Sequence, residues 1–236
     1  MILGTSRPLL GDCPRGLYTA KMSRTLSEAD SKVFLSEFNI PFAPELLAIS
    51  ADDAVIAAVS VGLPVAVKLC GENISHKTER GLVRLGLSDA SSVHEAATEL
   101  LEAAVPEDHA TGVLVAPMVS GGRELIAGLS VDDQFGPTVL IGIGGVLAEA
   151  IADVAVRLLP ITAVDATEMI EQLHTQGLLE EFRGEPAVDR KAVGDILLAL
   201  SRLAAEHPEV VSVDINPLII SGGQPVAVDA LVEVTS

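Results

Sequence analysis

The chain has no tryptophan, one tyrosine, five phenylalanines and two cysteines. These shortages exclude several classes of protein. With so few rings the core has to be aliphatic, built from Val, Leu, Ile and Ala. Cys13 and Cys70 are too few and too poorly spaced for a metal site or a disulfide framework. Cys70, at the end of an apolar strand, reads as a small buried hydrophobe. Basic residues are also scarce, 15 Lys and Arg against 33 Asp and Glu, and the formal net charge of −18 argues against nucleic acid and anionic membrane surfaces as partners. It does not argue against nucleotides, because a phosphate site needs only a local cluster of cations and N–H groups. No uninterrupted apolar run reaches roughly 18 residues. The opening MILGTSRPLLGDCPRG is broken by Pro and Gly before a signal-peptide core can form. A reducing cytoplasm is the expected setting.

What is present is 236 residues, 49% of them hydrophobic, enough for one large domain or two small ones. The most informative stretch is Pro64 to Leu87, which reads as strand, polar loop and strand. Lys68 projects a compact cation near the end of the first strand. In the loop, Lys77, the Ser75 and Thr78 hydroxyls and the backbone N–H groups near Gly81 could hold phosphate oxygens. His76 lies among them. An imidazole beside a phosphate chain is either a spectator donor or a nucleophile that takes up the phosphoryl group. A loop histidine is more often solvated or capping, and the loop alone leaves the choice open.

Taken in order, residues 1–24 lack periodicity and are expected to be a flexible leader, with a true start at Met22 as another reading. Ser27 caps a helix running to about Phe38, with Val33, Phe34 and Phe38 as its expected apolar face. A turn and a short strand follow in NIPFAPELLAIS, then an Ala-rich helix from Ala51 to Val61 that Gly62 stops. After the central strands comes a helix from Ser91 to Ala104, with His94 and His109 as surface residues. Residues 112–118, 123–133 and 136–145 read as three strands joined by short turns, and the expectation is an antiparallel meander. Gly142 to Gly145 does not make a dinucleotide fingerprint, because the third glycine and the following acidic residue are not at the required spacing. VAVRLLP looks extended. Two further helices, about 165–174 and 189–206, carry His174 and His207 at their ends as surface residues.

Near the end of the chain, two apolar runs flank Ser221-Gly222-Gly223-Gln224, a hairpin signal. A two-residue loop at Gly222-Gly223 sets Asn216 opposite Asp229, with Asp214 on the same face and the ladder disturbed near Pro217. Three oxygen-bearing side chains on an otherwise apolar hairpin either face solvent or hold a hard cation such as Mg²⁺ with nucleotide phosphates on it.

Together VAVKL at 65–69, ISHKTERGLV at 74–83, GRELIAGLSVDDQFGP at 122–137, IGGVLAEAIADVAVRLLP at 143–160, and DINPL with VDA at 214–218 and 228–230 resemble the nucleotide-binding subunit of ADP-forming acyl-CoA synthetases. That family is related to the β subunit of succinyl-CoA synthetase. The resemblance covers about Ser27 to Val234 and implies an α/β (α+β) chain of the ATP-grasp fold, two subdomains enclosing a nucleotide. A first subdomain is expected over 25–111 and a second, with the metal-binding hairpin, over 112–236. It implies ATP or ADP and Mg²⁺ as ligands, and a CoA-binding α subunit as partner in a heterotetramer or a fused dimer, since this chain has no room for a CoA-binding domain. By position, His76 corresponds to the family's second phosphohistidine and Lys68 to a lysine on nucleotide phosphates. Asn216 and Asp229, with Asp214 beside them, correspond to Mg²⁺ ligands, while Glu124 and Arg157 correspond to ligand-side positions. The family has two adjacent glycines where this chain has Gly81-Leu82. That difference supports an alternative, an ATP-binding regulatory subunit without transfer activity. A third reading is a self-contained ATP-grasp carboxylate ligase.

Overall fold

The computed structural model describes residues 23–72, 74, 77–132, 134–145 and 151–235. Its strands form two antiparallel sheets. The smaller has the order β2 (Leu46–Ala48), β5 (Ala110–Pro117), β3 (Val65–Gly71), β4 (Val83–Leu87). The larger runs β1 (Ser23–Thr25), β11 (Ala230–Thr235), β9 (Val210–Ser221), β6 (Arg123–Asp132), β7 (Gly136–Ile143), β8 (Val154–Leu158), with β10 (Gln224–Ala227) also paired to β9. Among the described residues there are five α-helices. α2 (Ala51–Val61) and α3 (Ala90–Glu102) cover the small sheet, while α4 (Ala163–Gln172) and α5 (Arg190–Glu206) cover one face of the large one. α1 (Glu28–Ser36) packs on β11 and touches β3, so it bridges the two.

Each sheet has its own aliphatic core. The small one is built from residues such as Val67, Leu69, Val93, Leu100 and Val113, the large one from Leu129, Ile141, Leu197, Leu200 and Ile215. Local signals place the helices that complete them. Ser50 accepts a hydrogen bond from Asp53 N to start α2, and Gly62, at φ 92°, ends it. Thr162 and Asp165 form a reciprocal capping box on α4.

Three expectations change. The meander does not form, because β5 pairs with β2 and β3 in the small sheet while β6 pairs with β7 and β9 in the large one. The short segment 118–122 therefore crosses between sheets. There the backbone at Gly121 passes so close to Ile220 that a Cβ would meet its carbonyl oxygen at 2.2 Å. Residues 25–42, expected with the first subdomain, attach instead to the large sheet through β1–β11 pairing, which also takes Ser23 and Arg24 from the expected flexible leader, and through a bridge from Phe42 to Ala227. Finally, Val33 is 67% exposed, and α1 buries Glu28, Ser31, Lys32 and Leu35. This stripe has the spacing of a core-facing helix side, yet three of its four members are polar.

The C-terminal hairpin has the register read from its turn. Leu218 pairs with Ala227 and Ile215 with Ala230, which brackets Asn216 opposite Asp229, and Asn216 N donates to Asp229 O at 3.3 Å. The irregularity near Pro217 appears on the other side of β9, as a register shift against β6 between Leu125 and Ala127.

Candidate functional site

The two sheets face each other across a hollow of about 380 Å³. Its walls combine apolar groups, Ala66, Val83, Ala116, Met118 and Ile219, with polar ones, Lys32, Glu45, Lys68, Thr78, Glu124 and Asp229. Thr78 and Asp229 also line an adjoining hollow of about 370 Å³, shared with Lys77, Asp214 and Asn216. An apolar slot leading to cations and hard oxygens suits a ligand with a flat apolar part and an anionic tail.

Strand β3 is buried along its whole length and delivers Lys68 to the cleft floor. The ammonium of Lys68 donates to Glu28 Oε1 at 2.9 Å and to the Val228 carbonyl at 2.7 Å, and lies 3.7 Å from Asp229 Oδ2. Lys77 donates to Glu28 Oε2 and, at 3.3 Å, to Asp229 Oδ1. Lys32 donates to Glu28 Oε1 at 2.7 Å, Glu45 at 2.5 Å and the Val228 carbonyl at 3.0 Å. One carboxylate, Glu28, thus receives three lysines while only 1% of its side chain is exposed. Burial alone would raise its pKa, but Lys68, Lys77 and Lys32 hold it far below the usual carboxylate range. Burial likewise opposes the charge on Lys68, and Glu28 with Asp229 more than restores it, so its pKa is raised. Three ammoniums face three carboxylates, Glu28, Glu45 and Asp229, and the cluster is neutral overall.

Asp214 points into the adjoining hollow. Crowding by the protein raises its pKa, and Asp229 raises it further. Two carboxylates that disfavour each other's charge, beside an amide oxygen, form a hard donor set that a divalent cation relieves. So few protein ligands suit Mg²⁺, which completes its shell with phosphate and water. Among the described residues no group of three or more His, Cys, Asp or Glu side chains is arranged for a metal by itself.

The structure therefore brings together Lys68, Lys77, Thr78, Glu124, Asp214, Asn216 and Asp229. Gly81 lines neither hollow; it sits in the turn, at φ 67°, with its N–H on the Thr78 carbonyl at 3.1 Å. Arg157 is not brought to this cleft. It lies on edge strand β8, in a shallow depression with Asp132, Phe135 and Thr138, and donates to the Val156 carbonyl. Ser75 and His76 lie outside the described residues, between Ile74 and Lys77, which are both buried. Leu82 is 2% exposed in the small-sheet core and its backbone is outside the left-handed region, so its conformation does not call for a glycine. Sequence reasoning missed Glu28, Lys32 and Glu45. The readable signal was the polar stripe at core spacing on α1.

The ATP-grasp domain family matches residues 18–234, and the chain belongs to that family. Within it, the chain is 35% identical over 211 residues to the β subunit of acetate–CoA ligase (ADP-forming) I of Pyrococcus furiosus, covering 88% of this chain and 91% of that one. It is 38% identical over 193 residues to acetate–CoA ligase (ADP-forming) I of Archaeoglobus fulgidus, covering 80% of this chain but only 28% of that longer protein. The dinucleotide-forming acetyl-coenzyme A synthetase 1 of Candidatus Korarchaeum cryptofilum superposes with a TM-score of 0.84 at 35% identity, over 90% of this chain and 94% of that one, in a complex with coenzyme A, Ca-AMPCP and HgCl⁺. The same protein bound to coenzyme A and Mg-AMPPCP, with its phosphohistidine segment pointing towards the nucleotide site, superposes with a TM-score of 0.75 at 34% identity, over 89% and 92% of the two chains.

Proposed function

We propose that this chain is the nucleotide-binding, phosphoryl-transferring part of an ADP-forming acyl-CoA synthetase. With a CoA-binding α partner it would run acyl-CoA + phosphate + ADP ⇌ carboxylic acid + CoA + ATP. The observation that carries the reading is the cleft between the sheets, where a partly apolar hollow lined by Lys68 adjoins one lined by Lys77, Asp214 and Asn216, with Thr78 and Asp229 common to both and buried Glu28 holding the two lysines.

The slot accepts the base and ribose, and the polar end accepts the phosphates. Lys68 and Lys77 present ammoniums already oriented and largely dehydrated, so they stabilise charge on the transferring phosphoryl without reorganising. Asp214, Asn216 and Asp229 would hold Mg²⁺, which when bound offsets charge on the β- and γ-phosphate oxygens. His76, assigned by resemblance, is the nucleophile. Its ring nitrogen forms a bond to the γ-phosphorus of ATP as the bond to the ADP oxygen breaks. The reverse step returns the phosphoryl to ADP. Buried Ile74 and Lys77 anchor the chain on either side of it. The α partner supplies the CoA site and the acyl phosphate. The P. furiosus relative, named a β subunit, and the longer A. fulgidus relative both favour that division. A cytoplasmic setting goes with this reading. Among the described residues no helix is long and apolar enough to cross a membrane.

The test is incubation with γ-labelled ATP and Mg²⁺, with and without a CoA-binding α subunit. Wild type is expected to take up an acid-labile, base-stable label that His76→Ala does not. Wild type that stays unlabelled with the α subunit present overturns the transfer role.

A further inference from the structure

Lys68 and Lys77 are gripped from two sides, and the two grips differ. On the inner side Glu28 holds both through close hydrogen bonds, with 1% of its side chain exposed. On the cleft side Asp229 holds the same two lysines with one oxygen each, at 3.7 Å and 3.3 Å, and its side chain is 26% exposed. Asp229 therefore occupies the faces of the two ammoniums that an arriving phosphate chain needs. It also adjoins Asp214 and Asn216, the other oxygens of the cation hollow.

Resting on the nucleotide reading above, we propose that Asp229 is an exchangeable counter-ion that makes the protein select the metal–nucleotide complex over the free nucleotide. Without a divalent cation, Asp229 stays on Lys68 and Lys77, competes with the phosphates for them and repels the phosphate charge. A cation in the hollow with Asp214 and Asn216 draws Asp229 away and leaves the lysines to the phosphates. Glu28 cannot exchange in this way, because it is sealed beneath them. Selection then arises from one carboxylate that is a competitor in one state and a ligand in the other.

The experiment is calorimetric titration of the full-length chain with ATP in EDTA, with ATP in Mg²⁺, and with adenosine. In wild type, Mg²⁺ is expected to tighten ATP binding at least about tenfold. In Asp229→Asn, ATP in EDTA is expected to bind roughly three- to tenfold tighter than to wild type, the scale of one partly exposed ion pair. Adenosine affinity stays the same, and most of the Mg²⁺ gain disappears. Asp214→Asn, which no lysine touches among the described residues, loses Mg²⁺ gain and tightens ATP binding in EDTA less than Asp229→Asn does, because it relieves repulsion without freeing a lysine. Asp229→Ser repeats the test if the Asn variant does not fold. Metal-free ATP affinity that is unchanged or weaker in both Asp229 variants overturns the inference and leaves a simple metal ligand. A wild-type chain that binds neither adenosine nor ATP removes the nucleotide reading and the inference together.

Discussion

Buried charge lies on both sides of the large sheet, and the two sides treat it differently. Behind the sheet, Arg123 is 6% exposed and its guanidinium donates to the Leu178, Glu180 and Pro186 carbonyls and to Glu185. Nearby, Asp153 is closed off by the His174 and Thr175 N–H groups and the Thr175 hydroxyl. Each of these has fixed protein partners, and each ties a loop to the sheet. At the cleft, by contrast, Lys68 and Lys77 share one permanent carboxylate, Lys68 adds a close bond to the Val228 carbonyl, and Asp229 meets both ammoniums loosely from the open side. A buried ion whose partners are all fixed is part of the scaffold; one held firmly on one side and loosely on the other is arranged for a ligand.

The largest test of this contrast is Glu28→Gln. It leaves three buried ammoniums without their common counter-charge, and a loss of about 3–5 kcal/mol in urea unfolding is expected. A loss under about 1 kcal/mol would mean that water reaches the lysines and the cluster is not sealed. Next, Arg123→Met strands three carbonyls and should cost about 2–3 kcal/mol. The folded variant should keep its ATP affinity within about twofold, below what one exposed ion pair contributes; a larger change would erase the division between scaffold and cleft. The smallest effect concerns acid. Burial opposes the Asp153 charge, but its hydrogen bonds bring the pKa down to about 2, from an ordinary 3.8. Because the folded pKa is the lower one, its contribution is complete above about pH 4 and is lost as pH falls towards 2. Unfolding followed from pH 5 to pH 2 should therefore be flatter in Asp153→Asn than in wild type.

Much of the architecture was legible where the signals are local. The strand–loop–strand around Lys68, the α2 boundaries and the hairpin register that sets Asn216 against Asp229 follow from apolar period and turn glycines, while α4 begins and ends two residues earlier than the expected 165–174. The sheet membership of β5 was not legible. A run such as Gly112 to Met118 is equally apolar whichever strand it pairs with, and five residues of loop suffice to change sheets. Arg157 shows the limit of placing residues by resemblance, since its strand lies at the sheet edge, away from the lysines.

By itself, then, the sequence determined which segments are strands and helices, which face of the C-terminal hairpin carries oxygens, and that Lys68 and Lys77 flank one loop. Periodicity and turn chemistry act over a few residues, so they can be read without the rest of the chain. Only the tertiary structure decided that these groups meet. Lys68 and Glu28 are 40 positions apart, Lys77 and Asp229 are 152 apart, and no pattern in the sequence pairs them. What brings them together is the packing of α1 between the two sheets, which buries Glu28 where only lysines from the other sheet and from its own helix can neutralise it. A buried carboxylate must find cations wherever the fold supplies them, and that requirement is global.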